Sequence, residues 1–353
     1  MFPRQPATQP RILSTFDTWS AIPGWGERVD SIRLHSVAAA RRGWLARVLH
    51  GLYDGVKLWW LSRGYHAVVT DSSPPVAVFG LLERLRLGKQ RRHLMLECLW
   101  THPPTSLHAI AKRLQFRASL TRHSRAIVYA RRERQRFSAH FGIPAQRFVF
   151  IPYHTTLRHF THPSGCALPA EKYVFAGGDT HRDYPTLCKA VAGLNVRVVI
   201  AARDRSAFQD IQVPPNVEII TTDPGGFLHL MLHAYINVVP LQEGTLRSAG
   251  QQTFLNAMAL GTAVIVTDVE GGSDYVDNWV NGVLVEAGNA PALRAALVRL
   301  LNDPDLVARI SAAASRVRSR YATEKILSHC LDFLISDQFA DGSCAEYPGD
   351  HDL

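Results

Sequence analysis

The stretch that decides the fold runs Phe254-Leu-Asn-Ala-Met-Ala-Leu-Gly-Thr-Ala-Val-Ile-Val-Thr-Asp268. Its first half is made of helix formers and stops at Gly261, the residue type that best closes a helix. Its second half, Ala263–Thr267, is a short apolar run rich in β-branched residues and reads as a strand. A helix, a glycine stop and a strand in so short a space is the connection of a parallel α/β sheet.

Reading outward, the same alternation continues on both sides. Upstream lie strand Lys172–Ala176 running into Gly177-Gly178, helix 184–192, strand Val196–Ala201, strand Val217–Thr221, helix 225–233, strand Ile236–Pro240 and helix 252–260. Downstream follow a Gly-rich loop, strand Val283–Val285, helices 290–302 and 304–335, and a Gly-, Ser-, Pro- and acid-rich tail that predicts mobility from Asp337. The N-terminal half is less regular. Arg11–Phe16 is a candidate strand before the turn-like SAIPGWGE, and apolar residues recur at helical spacing over 37–62, interrupted by Gly43, Gly51 and Gly55. His66–Thr70 then reads as a strand ending in the loop Asp71-Ser-Ser-Pro-Pro75, followed by helix 76–87, strand 94–98, helix 105–119, strand 125–129, helix 131–140 and strand 148–151. The expectation is two doubly wound Rossmann-like α/β domains, residues 1–155 and 156–336, with a tail at 337–353. A ligand is expected in the cleft at the C-terminal ends of the strands.

A chain of 353 residues with 46% hydrophobic and 20% charged residues is globular rather than disordered. It has no apolar run long enough to span a bilayer, and MFPRQPATQPR has no apolar core of a secretory signal. Cys98, Cys166, Cys188, Cys330 and Cys344 are scattered and form no CxxC pair, which fits thiols in a reducing, cytoplasmic setting. The net charge of +9 is unevenly shared: residues 1–150 carry 24 Lys+Arg against 8 Asp+Glu, and the remainder 15 against 22. So large an excess in one half concerns partners, not fold.

Several motifs in order resemble the family 4 retaining glycosyltransferases. Phe254–Asp268 resembles their L-E-A-M-A-x-G-x-P-V-V-x-T-D signature, and Val276–Gly288, with Asn281-Gly282-Val-Leu-Val, resembles N-G-L-L-V-x-x-G. Ile151-Pro-Tyr-His-Thr-Thr-Leu-Arg-His-Phe160 resembles the interdomain I-P-N-G-V-D-x-x-x-F. Phe175-Ala-Gly-Gly with Arg182-Asp-Tyr-Pro-Thr-Leu187 resembles the glycine turn and helix start that meet a diphosphate. The resemblance covers about residues 120–335, while residues 1–119 match loosely and lack the usual Gly-Gly loop after the first strand. It implies the GT-B fold, a nucleotide-diphosphate sugar as donor, no cofactor, and transfer with retention to a glycan, polysaccharide or lipid-linked acceptor.

The chemistry implied can be argued on its own terms. Leaving phosphate gains negative charge as the anomeric carbon becomes oxocarbenium-like, so backbone N–H groups at helix starts and a cation are needed. Gly177 and Gly178 allow close backbone approach and Arg182 supplies the cation; otherwise this is a strand turn with a solvated Arg. Ser248 and Asn256 stand where the resembled family carries E-x7-E, its sugar- and ribose-gripping carboxylates. Asn256 can still hydrogen-bond a ribose diol, and Gly250-Gln251-Gln252-Thr253 opens a helix whose first N–H groups can bind sugar or phosphate; Ser248 can equally serve as a cap. Glu97 in Glu97-Cys-Leu-Trp100 falls where relatives carry H-D-L-W, which implies a hydroxyl contact or proton acceptor; a Glu bonded to neighbouring arginines is the other reading. His154, near the junction, reads as structural or cleft-facing. No HExxH or cleft-facing DxD motif is present, and no metal is expected.

Sugar transfer is therefore the expected activity. A GT-B sugar-nucleotide epimerase or hydrolase, or a degenerate protein that binds without turnover, are the alternatives. Nucleic-acid binding is disfavoured, because no aromatic RNP-like or helix-turn-helix pattern accompanies the basic half. Trp44, Trp59 and Trp60 among Arg41, Arg42, Arg47, Lys57 and Arg63 also suit a helix that touches an anionic membrane surface, in competition with simple packing on the sheet.

Overall fold

Short apolar runs such as Ala67-Val-Val-Thr70 are buried along their whole length, and every strand ladder is parallel, as strands covered by helices on both faces require. The computed structural model describes residues 10–34, 44–85, 91–96, 107–158, 160 and 171–341. The chain divides into two units, Met1–Pro152 with Glu324–Leu353, and Tyr153–Thr323.

The first unit contains β1 (Ile12–Ser14), β2 (Val29–Ser31), α1 (Trp44–Leu61), β3 (Ala67–Thr70), α2 (Pro74–Leu85), β4 (Arg92–Met95), α3 (Leu107–Ser119), β5 (Ser124–Val128), α4 (Glu133–Phe141) and β6 (Phe148–Phe150). Its six-stranded sheet has the order β2-β1-β3-β4-β5-β6. β2 is a strand that the sequence reading did not foresee, since its three residues follow directly on a turn. At the sheet centre the His93 ring bridges Thr70 Oγ1 (2.8 Å) and Ser124 Oγ (2.9 Å), so three strands share one buried polar line. Complete burial pushes the His93 pKa down to about 3 and keeps the ring neutral.

The second unit contains β7 (Tyr173–Gly177), α5 (Tyr184–Val191), β8 (Arg197–Ala201), β9 (Val217–Ile220), α6 (Pro224–His233), β10 (Ile236–Val239), α7 (Gln251–Ala259), β11 (Ala263–Asp268), β12 (Val283–Glu286), α8 (Ala290–Asn302), α9 (Pro304–Ala314) and α10 (Val317–Arg320). Its sheet runs β12-β11-β10-β7-β8-β9. The chain therefore leaves β7 in one direction and β10 in the other, which makes the gap beyond their C-terminal ends a topological switch point. Helices α5, α6, α8 and α9 start with Pro in the first turn and an Asp or Asn side chain accepting a backbone N–H: Asp183 from Thr186, Asp223 from Gly226, Asn289 from Ala292 and Asp303 from Leu306.

The chain ends with α11 (Thr323–Ile335) and α12 (Asp337–Asp341). The sequence reading kept residues to 336 with the second domain, whereas from Glu324 the chain groups with the first unit. Arg92 donates to the Leu334 and Ser336 carbonyls (3.2 and 2.7 Å), and Arg28 pairs with Asp332 at 2.8 Å. The tail expected to be mobile from Asp337 begins instead as α12, because Phe339 is buried against Phe333 under the Arg92 and Arg125 guanidiniums. Residues 342–353 lie outside the described residues. Cys188 and Cys330 are buried free thiols, which burial pushes up to about 11 and about 12.

Candidate functional site

The site begins with the turn after β7. Gly177 ends the strand, and Gly178 has φ +106°, a left-handed conformation that side chains disfavour. The Gly178 N–H donates to Ala201 O (3.0 Å), which ties the turn to the end of β8, and its carbonyl accepts from the Tyr184 hydroxyl. His181, also at positive φ (54°), brings Arg182 back beside Leu241 after β10, the two pairing across the switch point.

Arg182 is buried, 6% exposed, and three of its donors are taken by the protein. Nε donates to Gly177 O (2.9 Å), one terminal nitrogen to Thr180 O (2.7 Å) and the other to Thr253 Oγ1 on α7 (2.9 Å). Burial lowers its proton affinity, Tyr184 and Asp179 oppose that, and Arg247 adds to it. The guanidinium thus fixes the glycine turn against α7.

α7 starts differently from the four capped helices α5, α6, α8 and α9. Its N-cap is Gly250 at φ +85°, and no side chain caps it. The dipole end and the first N–H groups therefore remain for something outside the helix. On the same helix, Asn256 Oδ1 accepts the Thr156 N–H (2.9 Å) and Asn256 Nδ2 donates to Thr156 Oγ1 (2.8 Å); Gln252 Nε2 donates to that same oxygen (3.1 Å).

These pieces border a cavity of about 530 Å³ at the C-terminal edge of the second sheet. One wall is apolar: Ala201, Ala202, Phe227 and Leu228. The other is polar: Thr156, Thr180, Gln252, Thr253 and Asn256, with the Gly178 turn between them. The volume is in the range of small-molecule sites. Asp179 accepts from Arg203 N (2.8 Å), Arg203 Nε (2.9 Å) and Asp204 N (3.2 Å). Burial works against its ionisation, but the Arg203 and Asp204 donors prevail and hold the carboxyl below its usual range. Asp223 is engaged as the cap of α6.

Of the residues expected from the sequence, Gly178, Gln252, Thr253 and Asn256 line this cavity. Gly177 lies behind it, with the Phe227 ring against the strand, and Arg182 lies behind the turn. Ser248, Gly250 and Gln251 precede or open α7 and are not among the lining residues; Ser248 and Gln251 are buried. Glu97 lies outside the described residues. The His154 ring stacks on Tyr153 and bonds its own segment at Thr155 O (2.9 Å). Sequence reasoning missed Asp179, Arg203, Thr222, Asp223 and Phe227. Their signal was position just past β7 (Asp179), β8 (Arg203) and β9 (Thr222, Asp223) or in the helix that follows β9 (Phe227), where a switch-point site collects residues. Among the described residues no group of three or more His, Cys, Asp or Glu can hold a metal ion.

Two doubly wound parallel sheets with this strand order define the GT-B fold, and solved structures confirm it. A glycosyltransferase from Rickettsia africae ESF-5 aligns over 92% of this chain and 89% of its own, with TM-score 0.64 and 15% identity. The sucrose-phosphate synthase of Thermosynechococcus elongatus aligns over 94% and 89% (TM-score 0.66, 19% identity), and Anabaena HepE in complex with UDP-glucose over 92% and 99% (TM-score 0.64, 12% identity). At these identities the likeness establishes the fold. Within it, residues 216–317 match the family model Glycosyl transferases group 1, which spans α7 and its approach but not the Gly177–Arg182 turn. A search of curated proteins finds no match. The matched region, residues 216–317, is thus similar to a region of group 1 glycosyl transferases.

Proposed function

We propose that this protein is a cytoplasmic glycosyltransferase whose second unit holds a nucleotide-diphosphate sugar in the 530 Å³ cavity. The acceptor is a glycan, a polysaccharide or a lipid-linked sugar met at an anionic membrane surface. The observation that carries the reading is the pairing of an uncapped helix start, α7, with the glycine turn at the switch point, both fixed by Arg182. Nucleoside lies along Phe227, Leu228 and Ala202, and the diphosphate faces the N–H groups of the Gly178 turn and of α7, where negative charge is stabilised without a resident metal or other cofactor. Transfer proceeds with retention. The anomeric C–O bond to the phosphate breaks as the acceptor hydroxyl bonds to that carbon on the same face, and the hydroxyl proton passes to the departing phosphate. Glu97 orients the acceptor or the sugar in this scheme.

A second reading is binding without transfer. It is favoured by Ser248 and Asn256 in place of carboxylates, and by the Asn256 amide being engaged with Thr156. Thermal denaturation with a panel of nucleotides and their sugar conjugates tests the site. A ligand at 100 times its Kd adds about 2.7 kcal/mol of stability, a shift of several degrees. If no member of the panel at millimolar concentration moves the transition, the cavity is not a nucleotide site. With a donor found, Glu97→Gln separates the readings: transfer that falls at least about tenfold with unchanged donor affinity marks a working enzyme. Stabilisation without any hydrolysis or transfer leaves the binding protein.

A further inference from the structure

Helix α1 is amphipathic in reverse. The positions it buries are Gly51, Asp54, Gly55 and Leu58, small or polar but for one. The large apolar positions it exposes are Leu45, Val48, Leu49, Leu52, Tyr53, Val56, Trp60 and Leu61, with Leu45, Leu49, Leu52, Val56 and Trp60 spaced three or four apart, and Leu49 58% and Trp60 60% exposed. A soluble helix normally turns its large apolar stripe inward. Here the inward side has no room for one, because α1 lies close on α2: a methyl on Gly55 would stand 2.6 Å from the Pro75 carbonyl. The next helices continue the pattern. α1 packs on α2 and α2 on α3, and right-handed connections put α2 and α3 on one face of the sheet. α3 exposes Leu107 (85%), Ile110 and Leu114, and α2 exposes Leu81 and Leu85. Apolar side chains repeated over three adjacent helices exceed the scattered exposure of an ordinary surface.

The charges on these helices are one-sided. Their acids are Asp54 and Glu83, both buried, and Glu83 is paired with Arg91. The exposed charged residues among the described side chains of α1 to α3 are Arg84, Arg113 and Arg117, all positive, with Arg84 also donating to the Arg117 and Leu120 carbonyls. At one end of α1 the Arg63 guanidinium stacks on Trp59 and Trp60, at 4.1 and 4.3 Å from the ring centres. Near the ends of α2 and α3 a cavity of about 450 Å³ is lined by Arg84, Arg117, Arg122 and Arg147 and by no acid. Arg41, Arg42 and the side chains of Trp44 and Arg47, which the sequence also pointed to, lie outside the described residues.

We propose that the outer face of α1, α2 and α3 docks on an anionic lipid bilayer, with the α1 stripe entering the acyl boundary and the arginines meeting lipid phosphates. Among the described residues no helix is long and apolar enough to cross a membrane, so α1 lies along the surface. Tryptophan and arginine at the edge of an apolar face suit the interface, where one end is dry and the other wet. A second copy of the chain fits less well, because two such faces bring like charges together whereas anionic lipid attracts both the charge and the stripe. The proposal deepens the reading of a membrane-proximal acceptor. It is tested without donor or turnover, so either idea can fail alone.

The experiment is flotation of the full chain with vesicles of phosphatidylcholine alone or with 30% phosphatidylglycerol, at low and high salt. Wild type is expected to float with the anionic vesicles, and partition falls with salt without vanishing. Leu49→Glu with Val56→Glu, both at exposed positions, is expected to lower partition at least about tenfold while the thermal midpoint stays within a few degrees. Arg113→Ser with Arg117→Ser lowers partition at low salt only, and Trp60→Phe removes part of the fluorescence quenched by brominated lipid. Undiminished flotation of the Leu49→Glu, Val56→Glu variant overturns the proposal. So does a dimer in light scattering that this variant dissociates, in a protein that ignores vesicles: the face then belongs to a second copy.

Discussion

Arg182 and Thr253 form a pair whose coupling can be worked out from the structure. The Arg182 terminal nitrogen reaches Thr253 Oγ1 at 2.9 Å, and the rest of the guanidinium is held by the Gly177 and Thr180 carbonyls. A hydrogen bond to a charged group contributes about 1.5–3 kcal/mol, so a cycle of Arg182→Ala, Thr253→Ala and the double variant is expected to give a coupling energy of that size. Arg182→Ala alone removes all three bonds and leaves a void. The buried guanidinium has already lost its hydration, which offsets part of the sum, so the expected loss is about 3–5 kcal/mol. Native-state hydrogen exchange of the β7 and β10 amides reads this loss in the second unit alone, and calorimetry with the stabilising nucleotide reads affinity. If the coupling is below about 0.5 kcal/mol, the two residues act independently and the reasoning fails. If Arg182→Ala abolishes nucleotide binding with exchange unchanged, the guanidinium is a ligand to the donor rather than the clamp of the turn.

Gly177→Ala places a methyl 2.7 Å from Phe227 Cζ and drives the ring toward the cavity it lines. Nucleotide Kd is expected to rise about tenfold, with a stability cost of about 1–3 kcal/mol, and an unchanged Kd would place the ligand away from Phe227. His93, neutral in the fold with a pKa of about 3 against an ordinary 6.5, makes stability fall on the acid side. Above pH 6.5 neither state binds the proton; below it the unfolded chain does and the folded one does not. About 1.4 kcal/mol is therefore lost per pH unit between pH 6 and 4. Denaturant titrations of wild type and His93→Gln across that window should converge as the pH falls, and parallel curves would mean that other groups set the acid limit.

The second unit was legible because its elements obey local rules. Gly261 closes α7, Pro with a capping Asp or Asn opens four helices, and buried strands read as unbroken apolar runs. The first unit was harder. α1 shows helical spacing, but spacing alone does not tell which stripe is buried, and the apolar stripe turned out to face outward. β2 is three residues long and leans on β1 for its identity, a pairing with no signature within Val29-Asp-Ser31. α12 forms because Phe339 finds a pocket under two arginines far away in sequence, which a Gly- and Ser-rich tail conceals. At the site, glycines and helix starts were visible as motifs. Residues such as Asp179, Arg203 and Phe227 are assembled only by the order of strands, which brings the ends of β7, β8 and β9 to one edge.

The same order explains why an amide can serve at position 256. Thr156 Oγ1 accepts from both Asn256 Nδ2 and Gln252 Nε2, which occupies its lone pairs and leaves its own proton for the cavity that Thr156 lines. A carboxylate at 256 would instead draw that proton to itself and add negative charge on the wall where a diphosphate gathers its own. Asn256 meanwhile keeps one N–H and one lone pair beyond its two bonds to Thr156, enough to meet a ribose hydroxyl on each side. Under the proposed function, an amide at 256 would exchange a charged grip on the donor for a neutral network. That network joins α7 to the segment entering the unit, and in the proposed donor site the charge of a diphosphate would be left to the backbone of the glycine turn and the α7 start.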